Sequence, residues 1–116
     1  MPRNKKKILT IEEFLQLRPR RGDFPWNKNQ DGLVVIEVPK FYSRIGKSFC
    51  KLLKKENMFH AHLDSIGSVV WEYCDGEHTV GDILEILKEK FPEEGNLDQR
   101  LFLYLKQMEA LKYLIL

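Results

Sequence analysis

From Leu63 to Ile83 the chain reads LDSIGSVVWEYCDGEHTVGDI, two short helical patterns joined by a stop signal, and few folds accept that order. Asp64 is a good N-cap, and Ile66, Val69, Val70 and Tyr73 follow at offsets that place them on one helical face. Asp75-Gly76 then ends the helix, because glycine adopts the left-handed conformation past a helix terminus at little cost. Thr79 with Asp82 three residues on predicts a capping box that opens a second helix. The stretch is a helix-turn-helix signature.

The flanking sequence supplies strands and one more helix. Asp31-Gly32 turns the chain into Leu33 to Val38, a β-branched run that stops at Pro39. Met58 to Leu63 alternates Phe59, Ala61 and Leu63 against His60 and His62, the period of a strand whose histidines share one polar face. Between these runs, residues 40–57 place Ile45, Phe49, Leu52 and Leu53 at helical offsets among Arg44, Lys47, Lys51, Lys54 and Lys55, with Ser43 as the cap. They predict an inserted basic amphipathic helix, either packed by its apolar stripe or docked on an acidic partner or lipid surface. Past Phe91-Pro92, Asn96 with Gln99 suggests another capping box. Leu97, Leu101, Leu105 and Met108, widened by Phe102, make the stripe of a third helix to about Leu111. The uncharged tail Tyr113 to Leu116 must pack or pair.

Residues 1–30 read as a weakly structured arm. Thr10 and Glu13 cap a single helical turn, Pro19, Gly22 and Pro25 stop its continuation, the basic run from Arg18 is solvated, and Phe24 to Trp26 forms a short extended piece. The expected architecture is α+β: a winged helix-turn-helix-like domain over 31–116, with a small antiparallel sheet of two or three strands, a three-helix bundle and the basic insertion at 40–57.

A chain of 116 residues with 43% hydrophobic and 31% charged content holds an ordinary core without staples. No apolar run approaches the roughly 18 residues of a membrane span, and the glutamates after the basic N-terminus do not suit a secretory segment, so a cytoplasmic location is expected. Cys50 and Cys74 fit a reducing compartment, and no disulfide is expected. Cys50, His60, His62, Cys74 and His78 form no recognised metal-ligand spacing, so neither a metal nor another cofactor is expected. Nucleophile–base pairs and phosphate loops are missing as well, which points away from an enzyme. Residues 1–55 hold 14 Lys and Arg against 5 Asp and Glu, or +9, whereas 56–116 hold 5 against 12, or −7. This asymmetry suits either an acidic partner or neutralisation within the chain.

Leu63-Asp64, Gly67, Trp71-Glu72, Cys74-Asp75-Gly76, Thr79-Val80 and Ile83, in this order and spacing, resemble the PqqD-like family of coenzyme pyrroloquinoline quinone synthesis proteins. The resemblance covers roughly residues 30–116, and the 40–57 stretch departs from the short turn usual in the family. It implies a peptide chaperone that recognises the leader of a ribosomally made precursor peptide and presents it to a radical S-adenosylmethionine enzyme. It also implies the mode: the leader adds as a strand beside Met58, Phe59, His60, Ala61, His62 and Leu63. The opposing wall on the third helix is Arg100, Tyr104 and Gln107. Strand addition is sound physically, because a sheet edge offers unpaired N–H and C=O groups and alternate side chains supply selectivity.

The competing partner is DNA, since a winged helix-turn-helix can place its second helix in the major groove. That helix, however, carries Asp82, Glu85 and Glu89 against Lys88 and Lys90, where phosphate neutralisation calls for a basic face. DNA is therefore the alternative reading.

Overall fold

Three strands carry the first part of the fold because Leu33 to Pro39 is rich in residues that suit a pleated surface on both sides. A computed structural model describes residues 10–39 and 58–116; the expected 40–57 helix lies outside them. The described residues form two compact units, 23–71 and 10–22 with 72–116. In chain order the elements are α1 (Ile11–Gln16), β1 (Arg20–Arg21), β2 (Trp26–Lys28), β3 (Val34–Pro39), β4 (Met58–His62), α2 (Ser65–Tyr73), α3 (Val80–Lys90), α4 (Leu97–Ala110) and β5 (Leu114–Ile115). The fold is mixed α+β with small antiparallel sheets.

In the 23–71 unit the sheet order is β2-β3-β4, all antiparallel. The β2–β3 turn closes as Asp31-Gly32 predicted: Gly32 has φ +78°, and Asn29 Oδ1 accepts from the amides of Asp31 and Leu33. Val34, Ile36 and Val38 form a buried face of β3. At its start the Val34 amide donates 2.8 Å to Ser68 Oγ, so the hydroxyl of a buried serine on α2 takes a place in the ladder. Asp64 Oδ1 accepts from the Gly67 amide at 2.7 Å, the expected cap.

The buried face of α2 differs from the expected one. Gly67, Ser68, Val70 and Trp71 are buried, whereas Ile66, Val69 and Tyr73 are only half-buried. Reading the stripe from apolar residues alone passes over Gly67 and Ser68, the latter buried where its hydroxyl meets the Val34 amide. Trp71 is fully buried with its ring edge-on to Trp26, centroids 6.2 Å apart.

In the other unit, Gly76 has φ +82° and Asp75 Oδ1 accepts from the amides of Glu77 and His78, so the predicted stop is in place. The Thr79–Asp82 capping box forms in both directions, at 3.0 and 2.9 Å. Leu97, Leu101, Leu105 and Met108 line the buried side of α4, as their spacing predicts. Two details of α4 are corrected. Asn96 makes no side-chain cap, because at φ +57° it lacks the extended conformation from which a cap reaches into the first turn. Phe102 is 46% exposed and does not widen the core. After α4, Lys112 at φ +66° turns the chain, with Lys112 N donating to Glu109 O and Tyr113 N to Met108 O. The apolar tail then pairs: Leu114–Ile115 forms a two-stranded ribbon with Arg20–Arg21.

Residues 11–28, read as an arm, carry α1, β1 and β2. The Thr10–Glu13 capping box is present. Arg18 and Arg20 of the basic run are exposed, as expected, but the run is tied down by hydrogen bonds and Arg21 is half-buried. Arg21 Nη1 donates 2.9 Å to Glu72 O, Arg18 Nη1 donates to Glu77 O, and the main chain of 17–21 bonds to the turn through Val80 N to Leu17 O, Gly76 N to Pro19 O and Arg21 N to Cys74 O. Glu72 O is a last-turn carbonyl of α2, which attracts cations, and Glu77 O lies in the turn before α3; both partners are more than fifty residues from their arginines and leave no local signal.

Candidate functional site

The β3–β4 register pairs Val35 with His62, Ile36 with Ala61, Glu37 with His60 and Val38 with Phe59. Leu63 N donates 3.0 Å to Val34 O, which extends the same register by one pair and marks Val34–Leu63 as a hydrogen-bonded position. Hydrogen-bonded and non-bonded pairs alternate in an antiparallel ladder, so Ile36–Ala61 and Val38–Phe59 are bonded and Glu37–His60 and Val35–His62 are not. The other side of β3 agrees, since Glu37 N donates 2.8 Å to Pro25 O, away from β4.

Phe59 and Ala61 therefore spend their main-chain groups on β3. His60 and His62 turn theirs to the outer side, where β4 has no strand partner among the described residues. The side chains divide in the same way. Phe59 (41% exposed) and the half-buried Ala61 share the face of Val38 and Ile36, whereas the exposed His60 and His62 share the face of Glu37 and Val35. Leu63, half-buried, lies just past the strand.

The other expected residues lie on α4, in the second unit. Arg100, Tyr104 and Gln107 recur at intervals of four and three on one flank, which continues to Leu111, 55% exposed. Arg100 pairs with Glu94 at 2.7 Å, Tyr104 is half-buried and Gln107 is exposed. The residues expected from sequence thus gather into an edge and a flank, one in each unit.

A surface that sequence reasoning missed lies on the opposite flank of α4. Ile11, Phe14, Leu84, Phe102 and Leu103 line an apolar groove of about 760 Å³ with Lys106 at its border. Phe14 and Phe102 meet edge-on at 5.1 Å. The available signal was Phe102-Leu103, adjacent apolar residues off the buried stripe.

Titratable groups near the helix-turn-helix act structurally. Burial pushes the Cys74 thiol up to about 12, which keeps it protonated and unreactive. The Asp75 carboxyl is held down at about 2, chiefly by the Glu77 amide it accepts from, with further help from the His78 amide and ring. Asp82 is lowered mainly by the Thr79 amide of its capping box. Among the described residues no group of three His, Cys, Asp or Glu side chains can hold a metal ion, and no helix is long and apolar enough to cross a membrane.

The family model described as Coenzyme PQQ synthesis protein D (PqqD) matches residues 52–114. A relative from Acinetobacter baylyi named PqqA binding protein is 28% identical over 114 residues, covering 96% of this chain and 96% of its own. No solved structure matches the chain. Because the matched span exceeds half the chain and takes in β4, the helix-turn-helix and α4 together, the chain belongs to the PqqD family.

Proposed function

We propose that this chain is a non-catalytic peptide-binding module that takes the leader of a ribosomally made precursor peptide as an added strand and presents it to a radical S-adenosylmethionine type of modifying enzyme. The relative's name points to PqqA as the kind of guest. One observation carries the reading: β4 bonds on one side to β3 and turns the amides and carbonyls of His60 and His62 to the other, which is what a guest strand needs. Met58, Phe59, His60, Ala61, His62 and Leu63 form the edge in this reading, and Arg100, Tyr104 and Gln107 the wall. With it goes a winged-helix type of architecture that includes α1, β1 and β2 as well as 31–116, in a cytoplasmic protein.

Duplex DNA is a poorer guest, since α3 presents exposed Asp82, Glu85 and Glu89 and its Lys88 lies 3.8 Å from Glu85. Calorimetric titration with a PqqA-type leader and with duplex DNA, at two salt concentrations, separates the partners. Leader binding that survives added salt is the expected result. Salt-sensitive DNA binding without leader binding reverses the assignment.

A further inference from the structure

The register of β4 constrains the guest more closely than the presence of an edge does. A strand added to the outer side bonds its main chain to His60 and His62 and places the side chains opposite them on the His60/His62 face. The side chains between those positions fall on the other face, beside Phe59 and Ala61. The guest must therefore alternate, polar toward the histidines and apolar toward Phe59 and Ala61.

The charge of the polar positions follows from distance. A guest residue opposite His60 has the imidazole as its immediate neighbour, about 5 Å away, and Glu37 one strand further, about 10 Å away. Opposite charges across a strand pair stabilise it, so a guest carboxylate set beside the His60 ring is favoured over a neutral side chain. The other described groups around the two histidines are Val35 opposite His62, Asn27 of β2, whose Nδ2 donates 3.4 Å to Glu37 Oε2, and Asp64, occupied in capping α2 through Gly67. None of these adds a positive charge that would compete for the guest.

We propose that the peptides taken by this edge alternate acidic and apolar residues, with the carboxylates set against His60 and His62, so that binding takes up protons. The inference rests on the strand-addition reading above and specifies its substrate class. Histidine changes charge between about pH 5 and 8, so affinity rises as the pH falls through that range and drops again only near pH 4, where the guest carboxylates are neutralised.

Two synthetic eight-residue peptides, alternating Val-Glu and Val-Gln, test the proposal against the full chain at pH 5.5 and 8.0. The Val-Glu peptide is expected to bind roughly three- to tenfold tighter at the lower pH, and the Val-Gln peptide equally at both. The double variant His60→Gln, His62→Gln should bind Val-Glu with no pH dependence, whereas His78→Gln, at the histidine paired with Asp75, should keep it. Equal affinity of the Val-Glu peptide at both pH values, or a pH response that survives the double variant, overturns the acidic-guest proposal and leaves strand addition standing. Failure of both peptides and of a PqqA-type leader to bind overturns both.

Discussion

In the β1/β5 ribbon, Arg20–Arg21 pairs on one side with Leu114–Ile115 and on the other meets the turn after α2, through Arg21 N to Cys74 O and the Arg20–Asp75 bridge. β4 pairs with β3 and turns the His60 and His62 main chain outward. Both are short antiparallel strands, yet one has partners on both sides and the other, among the described residues, on one. β1 is itself a strand supplied from a distant part of the chain, with guanidinium groups of the same segment holding the carbonyls of Glu72 and Glu77. The ribbon shows how this molecule closes main chain when its own sequence provides the partner. At β4 the outer groups have no strand partner among the described residues.

The largest effect should come from the closed side. Leu114 is 1% exposed and Ile115 43% exposed, so Leu114→Ala should cost about 2–5 kcal/mol in chemical denaturation and Ile115→Ala less than about 1 kcal/mol. Equal costs would mean that the ribbon does not hold the tail.

On the open side, proline tells inner amides from outer ones. Ala61→Pro removes an amide bonded to Ile36 and should cost roughly 1–3 kcal/mol of stability. His62→Pro leaves the ladder intact and should melt within about 0.5 kcal/mol of the parent chain while lowering leader affinity about tenfold. A His62→Pro protein that is folded and binds the leader undiminished would count against strand addition.

The smallest effect concerns acid. Asp75, whose turn receives β1, has its carboxyl held at about 2, below its unfolded value of about 3.9. A depressed carboxyl stabilises the fold fully above the unfolded value and loses that contribution as the pH falls through the folded one. Melting temperature should therefore fall between about pH 4 and pH 2, and Asp75→Asn should reduce the slope in that window. An unchanged slope would show that Asp75 does not couple the turn to acid unfolding.

Much of the helical part was legible because its signals are local. The Thr10–Glu13 and Thr79–Asp82 capping boxes, the Asp64 cap, the stop at Gly76 and the Leu97-Leu101-Leu105-Met108 stripe each involve residues three or four apart, or a single backbone conformation. Asn96 broke that rule because its left-handed backbone, not its side-chain type, decides whether it caps. Of the candidate site, sequence placed a strand at Met58 to Leu63, which the structure ends at His62, and a polar flank on α4.

What the sequence determined by itself is thus where α1, β3, β4 and the three later helices lie, whereas β1, β2 and β5 exist through partners remote in sequence. Tertiary structure alone decided three further matters: that Gly67 and Ser68 rather than Ile66 and Val69 are buried on α2, that Arg18 and Arg21 hold carbonyls across the chain, and that His60 and His62 rather than Phe59 and Ala61 turn their amides outward. The reason is common to all three. A strand's own alternation is the same whichever of its sides is bonded, and a helix's own pattern does not say what will pack against it, so both choices wait for partners that are remote in sequence.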